Sequence, residues 1–395
     1  MMITKNTLEQ KQTDGSNSIE ELAVFSKCTV YDNKLSTIAE KIEFVHLSFV
    51  PPAPPIDETK ILDVAISEKY IFLLGVYDIL QYDRNGKFIR KIGRRGQGPQ
   101  EYIRLTSFQL DEQNDLIFAT DIAGQKIQVF DFNGKYVKKI PLDFRDGQIE
   151  IISPSLIAIR QGMSHRYYPG SHVIKFIDTD GKHVKTYLSN IYPIDRSEME
   201  HSGPDVSYFW RNNERLYSLE YGSDTIFRIE KDVLIPDRVL TGKLKLDKKE
   251  LFQKKVGQKL NITSYVMLPN AAIFESSGFT IFKLSSSTES FYMVYNKSTK
   301  KFHRTYYGNA PVSRQDLKKM DYFTDDLISG LSFNPHYQSK GNAVALISAM
   351  TICEKKKDIL DFISKHPTEE GKKMQSIVRN MDEEDNAVIM IVKFK

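Results

Sequence analysis

Three stretches of this chain align with one another without a gap. Residues 79–92 read Ile-Leu-Gln-Tyr-Asp-Arg-Asn-Gly-Lys-Phe-Ile-Arg-Lys-Ile, residues 127–140 read Ile-Gln-Val-Phe-Asp-Phe-Asn-Gly-Lys-Tyr-Val-Lys-Lys-Ile, and residues 174–187 read Ile-Lys-Phe-Ile-Asp-Thr-Asp-Gly-Lys-His-Val-Lys-Thr-Tyr. Their glycines, Gly86, Gly134 and Gly181, are 48 and 47 residues apart, a period of propeller-blade repeats. Each copy is an alternating apolar/polar run, an Asn-Gly or Asp-Gly turn and a second alternating run, the pattern of a β-hairpin whose turn demands positive φ. Two further strand-like runs precede each hairpin: Leu62–Ile66 and Tyr70–Leu74, Thr106–Leu110 and Leu116–Ala119, Ile149–Ser153 and Leu156–Arg160. Four short strands per repeat make one blade of a β-propeller.

Beyond residue 190 the repeat weakens. Ser207–Trp210, Arg215–Leu219 and Thr225–Glu230 form a degenerate fourth blade, and Ser264–Leu268, Gly278–Leu284, Phe291–Tyr295 and Phe302–Tyr306 a fifth, whose Val294–Phe302 segment is a weak copy of the hairpin. A sixth is assembled from Leu327–Phe333, Ala343–Thr351 and Ala387–Phe394. The expected fold is therefore all-β, a six-bladed propeller of four-stranded antiparallel blades. A short helical insertion at about 354–384 precedes the C-terminal strand, because Met374, Ile377, Val378 and Met381 share one helical face. Shorter helices are expected at Asp247–Lys255 and Ser313–Met320. Residues 1–41 read as a partly flexible extension and 42–395 as one propeller domain, closed by Ile42–Phe49 or by Ala387–Phe394 acting as a clasp.

With 41% hydrophobic and 27% charged residues, the 395-residue chain can bury a large core. Its longest apolar stretch, Ala343–Cys353, is broken by Ser and Thr and is too short for a transmembrane segment. Lys and Arg number 55 against 51 Asp and Glu, without basic blocks, so nucleic acid is not an expected partner. Cys28 and Cys353 lack metal-site spacing and read first as two ordinary thiols, with a pairing across a ring closed end to end as the alternative. Met1–Ser18 is polar with no apolar core, so no intact secretory signal is read here. Two locations stay open on the residues alone: the cytoplasm, or the exterior for a chain whose targeting segment lies outside this sequence.

The chain resembles the six-bladed propellers of Bacteroides and its relatives, NHL-like or TolB-like, from about Ile42 to Lys395. The resemblance rests on the Ile-Glu-Phe-Val-His-Leu start, the Asp-x-Asn-Gly-Lys hairpins, the linker Gly93-Arg94-Arg95-Gly96-Gln97-Gly98-Pro99-Gln100-Glu101-Tyr102, and the Asp385-Asn386-Ala387-Val388-Ile389 strand entry. Gln100 stands where such linkers more often carry glycine. The resemblance implies a location in the cell envelope, periplasmic or lipid-anchored, and implies fold far more than activity.

No catalytic constellation emerges. The Asp-x-Asn/Asp-Gly turns at 83–86, 131–134 and 178–181 lack the further ligands of a calcium loop. The Gly93–Tyr102 linker has glycines and two arginines suited to carboxylate or phosphate groups, but it lacks a Gly-Lys-Ser/Thr ending and precedes a strand. It reads first as a turn between blades. The histidines form no metal cluster, and there is no Gly-x-Ser-x-Gly elbow. No cofactor or metal is expected. In a propeller, the loops from second to third strand and those from blade to blade emerge on one face. They bring Tyr77, Arg94, Arg95, Tyr102, Asp121, His165, Arg166, Tyr167, Tyr168 and His201 to that side, a candidate ligand-binding surface rich in Tyr and Arg. Trp210 reads as a core residue. The expected function is binding or scaffolding of a protein or glycan by a monomeric, non-enzymatic propeller. The alternative is a hydrolase or lyase acting on a glycan or lactone in the central channel.

Overall fold

The computed structural model describes residues 19–23, 29–31, 33–142, 148–160, 172–188, 207–220, 223–241, 266–267, 273–285, 290–305 and 323–395. Their strands pair into six blades, each built on a four-stranded antiparallel meander. Blade 1 is Ile61–Ile66, Tyr70–Gly75, Ile79–Asp83 and Phe88–Ile92, and blade 2 is Leu105–Asp111, Leu116–Asp121, Lys126–Asp131 and Tyr136–Pro141. Blade 3 comprises Gln148–Ser153, Leu156–Arg160, His172–Asp178 and His183–Leu188, and blade 4 Ser207–Asn212, Arg215–Glu220, Thr225–Glu230 and Val233–Thr241. In blade 5 the inner position is divided between Val266–Met267 and Phe274–Glu275, followed by Phe279–Ser285, Ser290–Asn296 and Lys301–Thr305. The protein is an all-β six-bladed propeller.

Blade 6 departs from the sequence expectation. It consists of Tyr337–Ser339, Asn342–Ile347, Val388–Phe394 and, as its outer strand, Ala39–His46 from the other end of the chain. The clasp is thus a pairing of both candidate strands, over His46↔Val388 to Ala39↔Phe394. Leu327–Phe333 is not a blade strand. The buried Asp325 carboxylate accepts the backbone N–H groups of Leu327, Ile328 and Ser329 and folds this stretch into a turn, leaving Ser332–Phe333 to pair with Phe323–Thr324. Nor does the strand at Ala343 run to Thr351. The Ser348 hydroxyl accepts the Thr351 N–H and starts helix α1 (Ala349–Glu354). Helices α2 (Lys356–Lys365) and α3 (Glu369–Asn380) complete the insertion, with Met374 and Val378 buried against blade 6. The helices expected at Asp247–Lys255 and Ser313–Met320 lie outside the described residues, as does Cys28.

Burial follows position in the blade. The second strand of blade 1, Tyr70–Gly75, is buried along Ile71–Leu74 because a neighbouring blade covers each of its faces, whereas the outer strand Tyr136–Pro141 of blade 2 alternates. Apolar clusters fill all six blade interfaces. Val64 and Leu73 meet Ile389 between blades 1 and 6, Phe72 meets Phe108 between 1 and 2, and Val129 meets Ile157 between 2 and 3. Phe176 meets Leu216 between blades 3 and 4, Tyr217 meets Phe282 between 4 and 5, and Tyr292 meets Val388 between 5 and 6.

Strand twist of roughly 20–25° per step turns each outer strand toward the rim of the disc. The turn glycine of one blade consequently abuts the end of the preceding outer strand: Gly134 faces Lys91, and Gly181 faces Pro141. In each turn the aspartate serves the loop itself, as Asp83 does by accepting the N–H groups of Asn85 and Lys87. The rim also explains where the N-terminal extension goes. Glu20–Ala23 pairs in parallel with the outer strand of blade 4, Thr29–Tyr31 with that of blade 5, and Ala39–His46 then completes blade 6. Leu22 and Leu35 anchor this belt in the core.

Candidate functional site

The blade 1 to blade 2 linker is the best-defined part of the loop face. Glu101 folds back under it, accepting the Gly98 N–H at 2.8 Å and both Nε and an Nη of Arg94. These donors, the Gly98 N–H first, hold its carboxyl below the usual carboxylate range. A Cβ on Gly96 would fall 1.9 Å from a Glu101 carboxylate oxygen. The glycine-rich linker is therefore an anion cradle, and the anion it holds is the chain's own Glu101. Arg94 is spent on that contact despite its exposure. On one flank, Lys91, Arg94, Gln100, Phe130 and Tyr136 line a shallow groove of about 520 Å³.

Arg95 has a different role. It bridges Tyr102 through the backbone, donates its Nε to the Ile103 carbonyl at 3.2 Å, and places its guanidinium 5.2 Å from the ring centroid of Tyr77. Tyr77 is 58% exposed. The pair is a cation–π contact on an open surface, held by a braced loop.

Tyr102, in the linker, and Asp121, at the end of the second strand of blade 2, are fully buried on the same face. The Tyr102 hydroxyl donates to Asp78 at 3.1 Å, and burial, with Asp78 adding, lifts its pKa. Asp121 accepts the N–H groups of Ile103, Arg104 and Gly124. Both fix the linker from beneath. His165, Arg166, Tyr167, Tyr168 and His201 lie outside the described residues.

Sequence reasoning missed the polar lining of the channel. Glu150, on the inner strand of blade 3, accepts Gln109 Nε2 of blade 2 at 3.2 Å and Arg211 Nε of blade 4 at 3.1 Å. Arg211 also donates to the Ile151 carbonyl, and its own carbonyl accepts Gln338 Nε2 of blade 6. Burial pushes the Glu150 carboxyl up, and Arg211 opposes the rise. Asp63 of blade 1 accepts N–H groups of Val64 and Phe108, and burial lifts it to about 7, with the Glu150 charge adding to the shift. The signal was present in the strand Gln-Ile-Glu-Ile-Ile, where a carboxylate interrupts an apolar run.

Trp210 is a core residue, stacked on Tyr217 and donating its indole N–H to Glu275 at 2.8 Å. Glu275 also takes a bidentate pair from Arg238 and one bond from Lys297. Burial pushes Glu275 up, and these cations more than reverse it, leaving it below its ordinary value. This buried cluster joins blades 4 and 5.

The model of DUF4934, a domain of unknown function, matches residues 25–393. The chain belongs to the DUF4934 family. A search of the curated proteins finds no match. Among solved structures, this DUF4934 chain is similar to a Bacteroides fragilis protein described as a "putative exported protein", at 14% identity and a TM-score of 0.69, covering 95% of this chain and 99% of that one. A DUF4221 family member from Bacteroides vulgatus matches at 14% identity and a TM-score of 0.46, over 90% and 97% of the two chains. Virginiamycin B lyase from Staphylococcus aureus matches at 12% and 0.37, over 69% and 75%. The first likeness shows the fold. At their TM-scores the other two carry nothing about the chemistry of this DUF4934 chain.

Proposed function

We propose that the protein is a non-enzymatic binding propeller that holds its ligand on the loop face around blades 1 and 2. The observation that carries this is the Arg95–Tyr77 pair, exposed and mounted on a linker braced by Glu101, Asp121 and Tyr102. Arginine and tyrosine are the residue types that supply much of the energy of interfaces, and rigid mounting lowers the entropic cost of binding. The channel supports a catalytic reading less well. Glu150 is taken up by Arg211 and Gln109, in a network that crosses from blade 2 to blade 6, and Asp63 by backbone N–H groups. We place the protein in the cell envelope as a monomer, the location that the sequence resemblance implies.

The test is a thermal-shift screen with glycan fragments, small anions and soluble peptides, repeated on Tyr77→Ala/Arg95→Ala and on Asp63→Asn. A ligand that binds the folded state raises Tm. The expected result is a shift lost in the loop variant and kept in Asp63→Asn. A shift kept in the loop variant and lost in Asp63→Asn would replace this reading with a channel site.

A further inference from the structure

From the same surface we infer the partner's chemistry: an acidic peptide segment with apolar side chains, presented by another protein. The inference rests on the loop-face reading above. Four large apolar side chains stand exposed at this side of blade 1: Leu62, Val76, Tyr77 and Ile103. Pairing of Ile61 with Gly75 sets Leu62 beside the strand end that leads into Val76 and Tyr77, and Arg95 ties Tyr77 to Ile103 through its ring contact and its hydrogen bond. An exposed apolar patch of this kind is a feature of interaction sites.

The local charges decide the sign of the partner. The carboxylates that brace the linker and its neighbouring loops are already matched: Asp78 by Lys91 at 2.6 Å and by the Tyr102 hydroxyl, Glu101 by Arg94 and Gly98, and Asp121 by three backbone N–H groups, while beside Leu62 Asp57 is paired with Lys60. Two guanidiniums of the linker segment, one in the patch and one next to Ile103 in sequence, have no such match. Arg95 bonds only a carbonyl and an aromatic face, and the exposed Arg104 side chain has no ion pair or hydrogen bond among the described residues. Such cations are suited to bidentate carboxylate contacts. The rest of the surface favours a peptide over a sugar. Arg95 already covers a face of Tyr77, where a pyranose would stack, and the aliphatic Leu62, Val76 and Ile103 offer apolar contact without hydrogen bonds.

The experiment is selection of a random-peptide display library on the immobilised protein, followed by affinity measurements of enriched peptides on wild type, Arg95→Glu/Arg104→Glu and Tyr77→Ala. The expected result is enrichment of Asp and Glu next to aromatic or aliphatic residues. Affinity should fall at least about tenfold in the charge-reversal variant and weaken with added salt. Neutral or basic peptides, no enrichment, or binding indifferent to Arg95→Glu/Arg104→Glu overturns the inference. If glycan fragments alone bind, and lose affinity in Tyr77→Ala, the acidic-peptide assignment fails while the loop-face reading survives. If whatever binds is indifferent to both variants, both fail.

Discussion

Gly86 lies against His46 so closely that a Cβ on the glycine would fall 1.9 Å from the His46 carbonyl oxygen. One residue belongs to the hairpin turn of blade 1, the other to the N-terminal strand that finishes blade 6. The contact repeats that of Gly134 with Lys91 and Gly181 with Pro141, so the sixth interface is built like the earlier ones. Gly86 also has φ +83°, where a side chain costs roughly 1–2 kcal/mol. Gly341, in the first turn of blade 6, has φ +75° with nothing within 4 Å of the added atom. Gly86→Ala should therefore lower Tm clearly more than Gly341→Ala. Equal losses would mean that the backbone conformation alone sets the cost and that the ring contact is slack.

The Arg238–Glu275 pair has to be judged by what removal of one partner leaves behind. Both side chains are buried, and Glu275 also receives Trp210 and Lys297. Glu275→Gln takes away the buried counter-charge of Arg238 and leaves it only Asp237, its partly exposed neighbour at 2.8 Å, against a cost of roughly 3–5 kcal/mol for breaking a fully buried pair. The double change Arg238→Met/Glu275→Leu should recover part of it, since the two buried charges go together while the Trp210 indole N–H and Lys297 lose their carboxylate acceptor. Urea denaturation of the three proteins checks the order wild type, double variant, single variant.

The blades were legible where the turn was. Asp-x-Asn-Gly demands a left-handed glycine and an aspartate that caps its own loop, and those requirements sit within a few adjacent residues. Blade 6 hid its structure because its inner strand is only Tyr337–Ser339 and its outer strand is more than 290 residues away in sequence. On the loop face, exposure of Tyr77 and Arg95 followed from their loops. The burial of Tyr102 and Asp121 did not, because it depends on Asp78 and on backbone N–H groups brought in by neighbouring loops. The glycine-rich linker suggested an anion, and the sequence could not reveal that Glu101 is that anion.

Asp63 makes a specific pH dependence. Its folded pKa is about 7, while an unfolded aspartate titrates near about 4. Between those values the folded protein keeps a proton that the unfolded chain has lost, so stability falls as pH rises through the window and is level above it. Asp63→Asn retains a carbonyl acceptor for the Val64 and Phe108 N–H groups and removes the titration. We expect it to raise stability by on the order of 1–3 kcal/mol near about pH 8, allowing for partial solvent access, and by nothing measurable near about pH 4. Parallel Tm profiles of the two proteins would contradict the assignment of Asp63 as the group responsible.

The two ends of the chain should differ in what they support. Val388–Phe394 is paired on both sides, with Asn342–Ile347 and Ala39–His46, and all but Lys393 of its side chains are buried. Removing residues 386–395 takes out the third strand of blade 6, strands the N-terminal strand without its partner and opens the interfaces with blades 1 and 5 together. The strands at Glu20–Ala23 and Thr29–Tyr31 lie outside complete four-stranded blades, where they add an edge and bury Leu22. Deletion of residues 1–31 should accordingly lower Tm yet leave one cooperative transition, whereas deletion of residues 386–395 should abolish it. Calorimetry of both truncations distinguishes the clasp from the belt, and a normal melting curve without the last ten residues would show that the ring closes some other way.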